Sequence, residues 1–289
     1  MRQTSLFAIK FADITIRFVL PTVIAIPQRI IPFLSEDTEH VDEEYKVVLL
    51  EEPLLVHSKE AASALWMKIY PYEGRYLRVY PSLTEKDGCQ VACQLSGDGK
   101  HTLYYPKERW ETYAGEWQFL HLIGIEEVLI RHQAFLLHSS VVEMNGKVFL
   151  FSGPSGIGTS TQASLWEQYL GADILNGDRC IIRRKTDGFY GCGSPWCGTS
   201  KIYRAEQFPV GGILLLRQAE ENAIRRVGKE AFIEIYEQSI VNSWNGEFVL
   251  QLSDLIGELL KEIPVYELFC RPDQDAVQLA YETLFEGEI

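Results

Sequence analysis

The sequence contains no apolar run approaching the ~18 residues of a membrane span. Its opening stretch, MRQTSLFAIKFADITIRFVLPTVIAIPQRIIPFL, comes nearest, but Lys10, Asp13, Arg17 and Arg29 interrupt it and Pro21, Pro27 and Pro32 break it. Neither a membrane partner nor a targeting segment is expected there. The alternation of Ile9, Phe11, Ile14, Ile16 and Phe18 predicts strands instead. Basic residues are also in deficit, 27 Lys and Arg against 40 Asp and Glu, for a formal net charge of -13. That balance argues against nucleic acid as a partner, because a basic face is needed to bind its phosphates. The six cysteines, at 89, 93, 180, 192, 197 and 270, lack both CxxC spacing and matching histidines, so neither a zinc site nor a disulfide framework is expected. Free thiols in a reducing, cytoplasmic setting are the simpler expectation. No internal repeat or low-complexity segment is present.

What the chain does have is a change of texture near residue 112. Before it, short β-branched and aromatic segments such as YKVVLLEE, RYLRVYPSL and CQVACQLSG read as strands. SKEAASALWMKIY fits a short helix or a broken strand, and the Gly-Asp-Gly of LSGDGKHTLYY predicts a hairpin. Beyond it, GEWQFLHLIGIEEVLIRHQ has near-helical apolar spacing. Two apolar runs follow, AFLLHSSVVEM and KVFLFSG, joined by the favoured hairpin dipeptide Asn145-Gly146. ADILNGDRCIIRR predicts strand, bend and strand, and VGGILLLRQ a buried strand. The remaining segments are KEAFIEIYEQSIVNSW, LSDLIGELLKEI and DQDAVQLAYETLFEG, read as helices, with VYELFC as a strand. The expectation is a mixed α/β protein with a β-rich domain over 1–112 and a second domain over 113–289.

The second run feeds into SGPSGIGTST, residues 152–161, and a helix-forming segment, TSTQASLWEQYL, follows. Strand, glycine loop and helix is the context that a phosphate-binding loop requires. In such a loop consecutive backbone N–H groups converge at a helix N-terminus, and glycines supply the dihedrals and the close approach. Gly153, Ser155, Gly156, Ile157, Gly158, Thr159, Ser160 and Thr161 are therefore the candidate phosphate contacts. Against the pattern GxxxxGK[ST], every defining position matches except the lysine, where Thr159 stands. Ser160 occupies the position of the hydroxyl that ligates Mg²⁺. Asp178, after the ADIL strand, is placed to meet a metal or a substrate hydroxyl, though aspartates also serve turns. His138, ending AFLL, reads equally as a partly buried, hydrogen-bonded residue. Lys201 and Arg204 in GSPWCGTSKIYR suit either a solvated turn or a cationic cover over phosphates.

Taken together, LLHSSVVEMNGKVFLFSGPSGIGTSTQASLW and GADILNGDRCIIRR resemble the core of the HPr kinase/phosphorylase superfamily, which is related to phosphoenolpyruvate carboxykinases. The resemblance runs from about Phe135 to Arg204, is weaker through Asp273, and before residue 112 is one of layout only. It implies an HPr-kinase-like P-loop core, with His138 matching the family histidine and residues 153–160 its phosphate loop. Asp178 matches the acid that exchanges a proton with the acceptor hydroxyl. Mg²⁺, ATP or pyrophosphate, a peptide, protein or small-molecule acceptor, and homo-oligomers built through the core domain are implied with it. Two departures stand out. Asn176-Gly177-Asp178 replaces the paired aspartates of many members, and no HPr-docking element is recognisable, so HPr itself is not the expected acceptor.

The missing lysine matters because its ammonium stabilises charge on the transferring phosphoryl group. Loss of one comparable preorganised donor costs ~10²–10³ in rate. Arg179, Lys201, Arg204 and Arg271 are the candidates to replace that charge. Two functions follow: a phosphotransferase acting on a hydroxyl, or a non-catalytic nucleotide-binding module with a regulatory or scaffolding role.

Overall fold

The computed structural model describes residues 3–285 except 53, 55, 65–66, 74, 81–90, 116–117 and 199. The chain forms two compact units, Met1–Val128 and Leu129–Ile289, and the protein is of mixed α/β class. The Cys89 position lies outside the described residues. Cys93, Cys180, Cys192, Cys197 and Cys270 are buried and outside any disulfide. No described helix is long and apolar enough to cross a membrane.

The first unit is built on one sheet, whose described strands run in the order β3-β1-β2-β4-β9-β8-β7-β6-β5. β1 (Gln3–Phe11) and β2 (Ile14–Ala25) realise the alternation read from the sequence, turning at Ala12 and Asp13, both at positive φ. β3 (Leu34–Ser35) lies at one edge, and β4 (Glu43–Leu50) runs parallel to both β2 and β9 (Lys100–Pro106). The described residues of SKEAASALWMKIY follow the broken-strand reading: β5 (Ala62–Ala64) pairs antiparallel with β6 (Met67–Tyr72). β7 (Arg75–Val79) and β8 (Ala92–Gln94) complete the sheet, and β8 and β9 form the hairpin expected at Gly-Asp-Gly. Stacked rings of Phe7, Phe18 and Tyr45 lie in its core.

The helix expected across 115–133 is shorter. Only α2 (Ile125–Arg131) is regular, preceded by a tight turn over Gln118–His121; α1 (Trp110–Gly115) is a separate short helix. Gly124 interrupts the pattern, with φ +61° and Arg78 Nη1 only 2.8 Å from where a Cβ would stand. A left-handed residue at that point ends helical propagation.

The second unit is a three-layer arrangement. β10 (Ala134–Met144) and β11 (Lys147–Ser152) form the Asn145-Gly146 hairpin, with φ 54° and 75° at the two turn residues. α3 (Thr159–Leu170) follows the glycine loop, then β12 (Asp173–Asn176), β13 (Arg179–Lys185) and β14 (Gly188–Cys192). The first half of β10 pairs with β13, while its second half lies between β11 and β12. β15 (Gln207–Gln218) is shared in the same way. Its start pairs with β14, and its remainder runs parallel to both β11 and β17 (Val265–Cys270). β16 (Ala223–Val227) closes the edge beside β17.

Helices cover both faces. α3 and α6 (Gln274–Phe285) place Ala163, Trp166, Ala276 and Val277 against one side of the sheet. α5 (Gly246–Glu262) places Phe248, Leu252, Leu255 and Ile256 against the other. Asn245 caps α5 by accepting from the N–H groups of Glu247 and Phe248. The helix expected over KEAFIEIYEQSIVNSW is cut to α4 (Phe232–Glu237). Immediately after it, Gln238 C=O accepts from His138 N–H and Ile240 N–H donates to Leu136 C=O. Pairing with β10 outcompetes helical propensity there.

Candidate phosphate-binding site

Four segments meet at the middle of β10. Residue 138 is where β10 leaves β13 for β11, so the end of β11 and the bend between β12 and β13 converge on it. Ser152 Oγ donates to His138 C=O at 2.7 Å, and Ser139 N–H donates to Asp178 C=O at 3.0 Å. The loop that leaves β11 has Gly153, Gly156 and Gly158 at φ +149°, +82° and +115°. Side chains rarely adopt such angles, which explains glycine at these positions. Nothing lies within 4 Å of a Cβ built on Gly156 or Gly158, so the space beside the loop is open. Gly158 is also the N-cap of α3 and offers no capping side chain. The first-turn N–H groups of the helix therefore face that space without a cap.

The resulting cavity, about 500 Å³, is lined by His138, Asp178 and Gly177 on one side and by Ser155, Gly156, Thr159 and Ser160 on the other. His138 Nε2 is 3.7 Å from Asp178 Oδ1, and Arg179 Nε is 3.4 Å from Asp178 Oδ2. Both His138 and Asp178 remain about one-third exposed. Ser160 Oγ donates to Gly177 C=O at 3.3 Å, and the fully buried Ser140 hydroxyl donates to the same oxygen at 3.1 Å. This leaves lone pairs of the Ser160 hydroxyl for a cation. Its oxygen and the Asp178 carboxylate are the hard donors that Mg²⁺ prefers. The described residues contain no group of three or more His, Cys, Asp or Glu arranged to hold a metal. The donor set thus fits an ion that takes its other ligands from water and phosphate, and Ser160 and Asp178 would hold it.

The candidate cations are distributed unevenly. Arg179 is committed to Asp178, and Arg204 Nη2 to Asp173 Oδ1 at 2.9 Å. Lys201 is exposed at φ +56° and forms no ion pair among the described residues. None of these three lines the cavity, and among its described lining residues there is no Lys or Arg. Ile157 and Thr161 face the opposite flank of the loop, where Arg271 also lies.

Asn176 stands where the resemblance implies a first acid, and its contacts show a structural part. The side chain is fully buried. Its Nδ2 donates to Ser194 C=O, Ser194 Oγ and Trp196 C=O at 3.2, 3.3 and 3.2 Å. Its Oδ1 accepts from the N–H groups of Asp178 and Arg179, both at 2.9 Å. Asn176 thereby sets the bend that presents Asp178 and pins the backbone at Ser194 and Trp196. Gly198 approaches so closely that its Cβ would lie 2.7 Å from Asp178 Cγ.

No protein-family model matches the chain, and no curated protein matches it. Among solved structures it is similar to the HPr(Ser) kinase/phosphatase from Coxiella burnetii, with 13% identity and a TM-score of 0.33. The likeness covers 53% of this chain and 88% of that one. What the site can do rests on its own geometry.

Proposed function

We propose that the second unit binds the phosphates of ATP or pyrophosphate on the 153–160 loop and transfers a phosphoryl group to a hydroxyl. The acceptor is a peptide, a protein or a small metabolite. One observation carries this reading: the open glycine loop, Ser160, His138 and Asp178 line the same cavity. Backbone N–H groups at the start of α3 bind the phosphates. Asp178 accepts the proton of the attacking hydroxyl, and His138, 3.7 Å from it, orients the acceptor or a phosphate oxygen. Mg²⁺, when bound with the phosphates, supplies charge neutralisation.

A second reading, nucleotide binding without catalysis, is favoured by the absence of Lys and Arg from the described lining of that cavity. Calorimetry with ATP, ADP, GTP and pyrophosphate, with and without Mg²⁺, tests the part common to both. Millimolar ligand without any heat of binding would remove both readings. Phosphoryl turnover then separates them: release of product by the native protein supports transfer, and tight binding with no turnover on any hydroxyl acceptor supports the second.

A further inference from the structure

A second cavity, about 370 Å³, opens on the far flank of the glycine loop and shares Gly156 with the first. Its volume falls in the usual range of small-molecule sites. Ile157, Leu216, Ala219 and Pro272 give it an apolar lining, unlike the hydroxyls and carboxylate of the first. The polar side chains of Thr161, Gln162, Gln218 and Arg271 interrupt that lining. Gln162, only 3% exposed, meets Cys270 Sγ through Nε2 at 3.3 Å, and its buried Oε1 has no hydrogen-bond partner. Turned around, the amide would offer its oxygen to the Cys270 thiol and leave its N–H₂ without an acceptor, so one end stays unsatisfied either way. A buried amide oxygen without a donor is costly unless something completes it. Arg271, half exposed, is held only by Asp273 at 2.8 Å; among the described residues it is the one Lys or Arg that lines either cavity beside the loop.

We infer that this second cavity takes the nucleoside end and inner phosphate of a nucleoside polyphosphate, with Arg271 supplying positive charge to that inner phosphate. The inference rests on the proposed function and decides the donor left open there: a nucleotide rather than pyrophosphate. The polyphosphate crosses the loop at Gly156, the glycine common to both cavities, and its outer phosphate reaches Ser160 and Asp178. The base lies against Ile157, Leu216 and Pro272, where an N–H donor on its edge can complete the Gln162 amide. Arg271 turns from Asp273 to the inner phosphate, which presents the guanidinium with the same fork of two anionic oxygens as the carboxylate it leaves. Asp273 keeps its other roles, accepting from Ala276 N–H and Asn222 Nδ2.

The test is calorimetry of MgATP, MgADP and magnesium pyrophosphate on the native protein and two variants. Arg271→Ala is expected to weaken ATP and ADP alike, by roughly tenfold or more, the usual effect of one charge-assisted hydrogen bond. Ala219→Trp, at the half-buried rim, fills the cavity and is expected to abolish measurable nucleotide binding. Both variants should bind pyrophosphate as the native protein does, and unchanged melting temperatures establish that they fold. Native nucleotide affinity in both variants overturns the inference, as does equal loss of pyrophosphate. A native protein that binds pyrophosphate but no nucleotide overturns it while leaving the loop's role intact. Binding of neither ligand removes the loop's role as well.

Discussion

Replacing Asn176 by aspartate should damage the protein rather than add a working acid. The amide N–H₂ of Asn176 faces Ser194 C=O, Ser194 Oγ and Trp196 C=O in a fully buried position. An ionised carboxylate there would turn donors into a charge pressed against two carbonyl oxygens. The cheaper course is to keep the new acid protonated, donating once to Ser194 or Trp196. Holding an Asp with an unfolded pKa near 3.9 neutral at pH 7 costs about 4 kcal/mol, at 1.36 kcal/mol per unit. The lost second donor adds roughly 1 kcal/mol. The Asp178 and Arg179 N–H groups still find an acceptor, so the bend itself survives.

Asn176→Asp should therefore cost about 4–5 kcal/mol at pH 7. In linkage terms the folded pKa is raised, so the folded state binds more protons than the unfolded state between the two values. The penalty should shrink by about 1.4 kcal/mol for each unit of acidification from pH 7 towards pH 4. Urea unfolding of native and variant proteins at pH 5, 6 and 7 reads the difference directly. A penalty below 1 kcal/mol at pH 7, or one independent of pH, would refute the clamp described for Asn176.

Thr159→Lys should tighten ATP binding by about tenfold, with a smaller gain for ADP, as read by calorimetry; an unchanged affinity would show that no phosphate lies beside this position. Asp178→Asn should abolish phosphoryl transfer in an activity assay while sparing most ATP affinity, and retained turnover would remove Asp178 as the base. Gly158→Ala forces a side chain to φ +115° and should cost about 1–3 kcal/mol in thermal unfolding, although the space for its methyl group is open. Burial raises the Glu267 carboxyl, but hydrogen bonds from Arg225 and Arg217 outweigh it and hold the pKa below the usual range. Their stabilisation is present above the unfolded glutamate pKa and is lost as the pH falls through the lower folded one; Glu267→Gln should flatten that acid slope in melting experiments.

The parts of the second unit that were legible are those specified within a few neighbouring residues. Asn145-Gly146 names its own turn, and β11, the glycines and α3 follow one another without long-range help. Gly124 and the segment after Glu237 show where local periodicity fails. In one, a neighbouring arginine fills the space beside the glycine; in the other, β10 captures the backbone. The site shows the same division. Ser160 and Asp178 could be picked out by position, whereas Asn176 gains its meaning from Ser194 and Trp196, which only the folded chain brings to it. Nor could the sequence rank four cations. Asp173 engages Arg204, which follows the isolated bridge between Asn176 and Tyr203, and Asp178 engages its own chain neighbour Arg179.

The pairing of β11 with β15 carries a further consequence for the order in which the domain matures. Synthesis delivers β11, the glycine turn and α3 well before Gln207–Gln218, the strand that runs parallel to β11 and supports its second edge. Parallel pairing across so long a connection forms late, because chain closure must precede the contacts that reward it. A nascent chain that stops short of residue 207 has its glycine turn hanging from a hairpin with one flank in solvent. On the phosphate-binding function proposed above, anion affinity would arise only as β15 threads into place, and ligand retention would mark completed assembly rather than local folding.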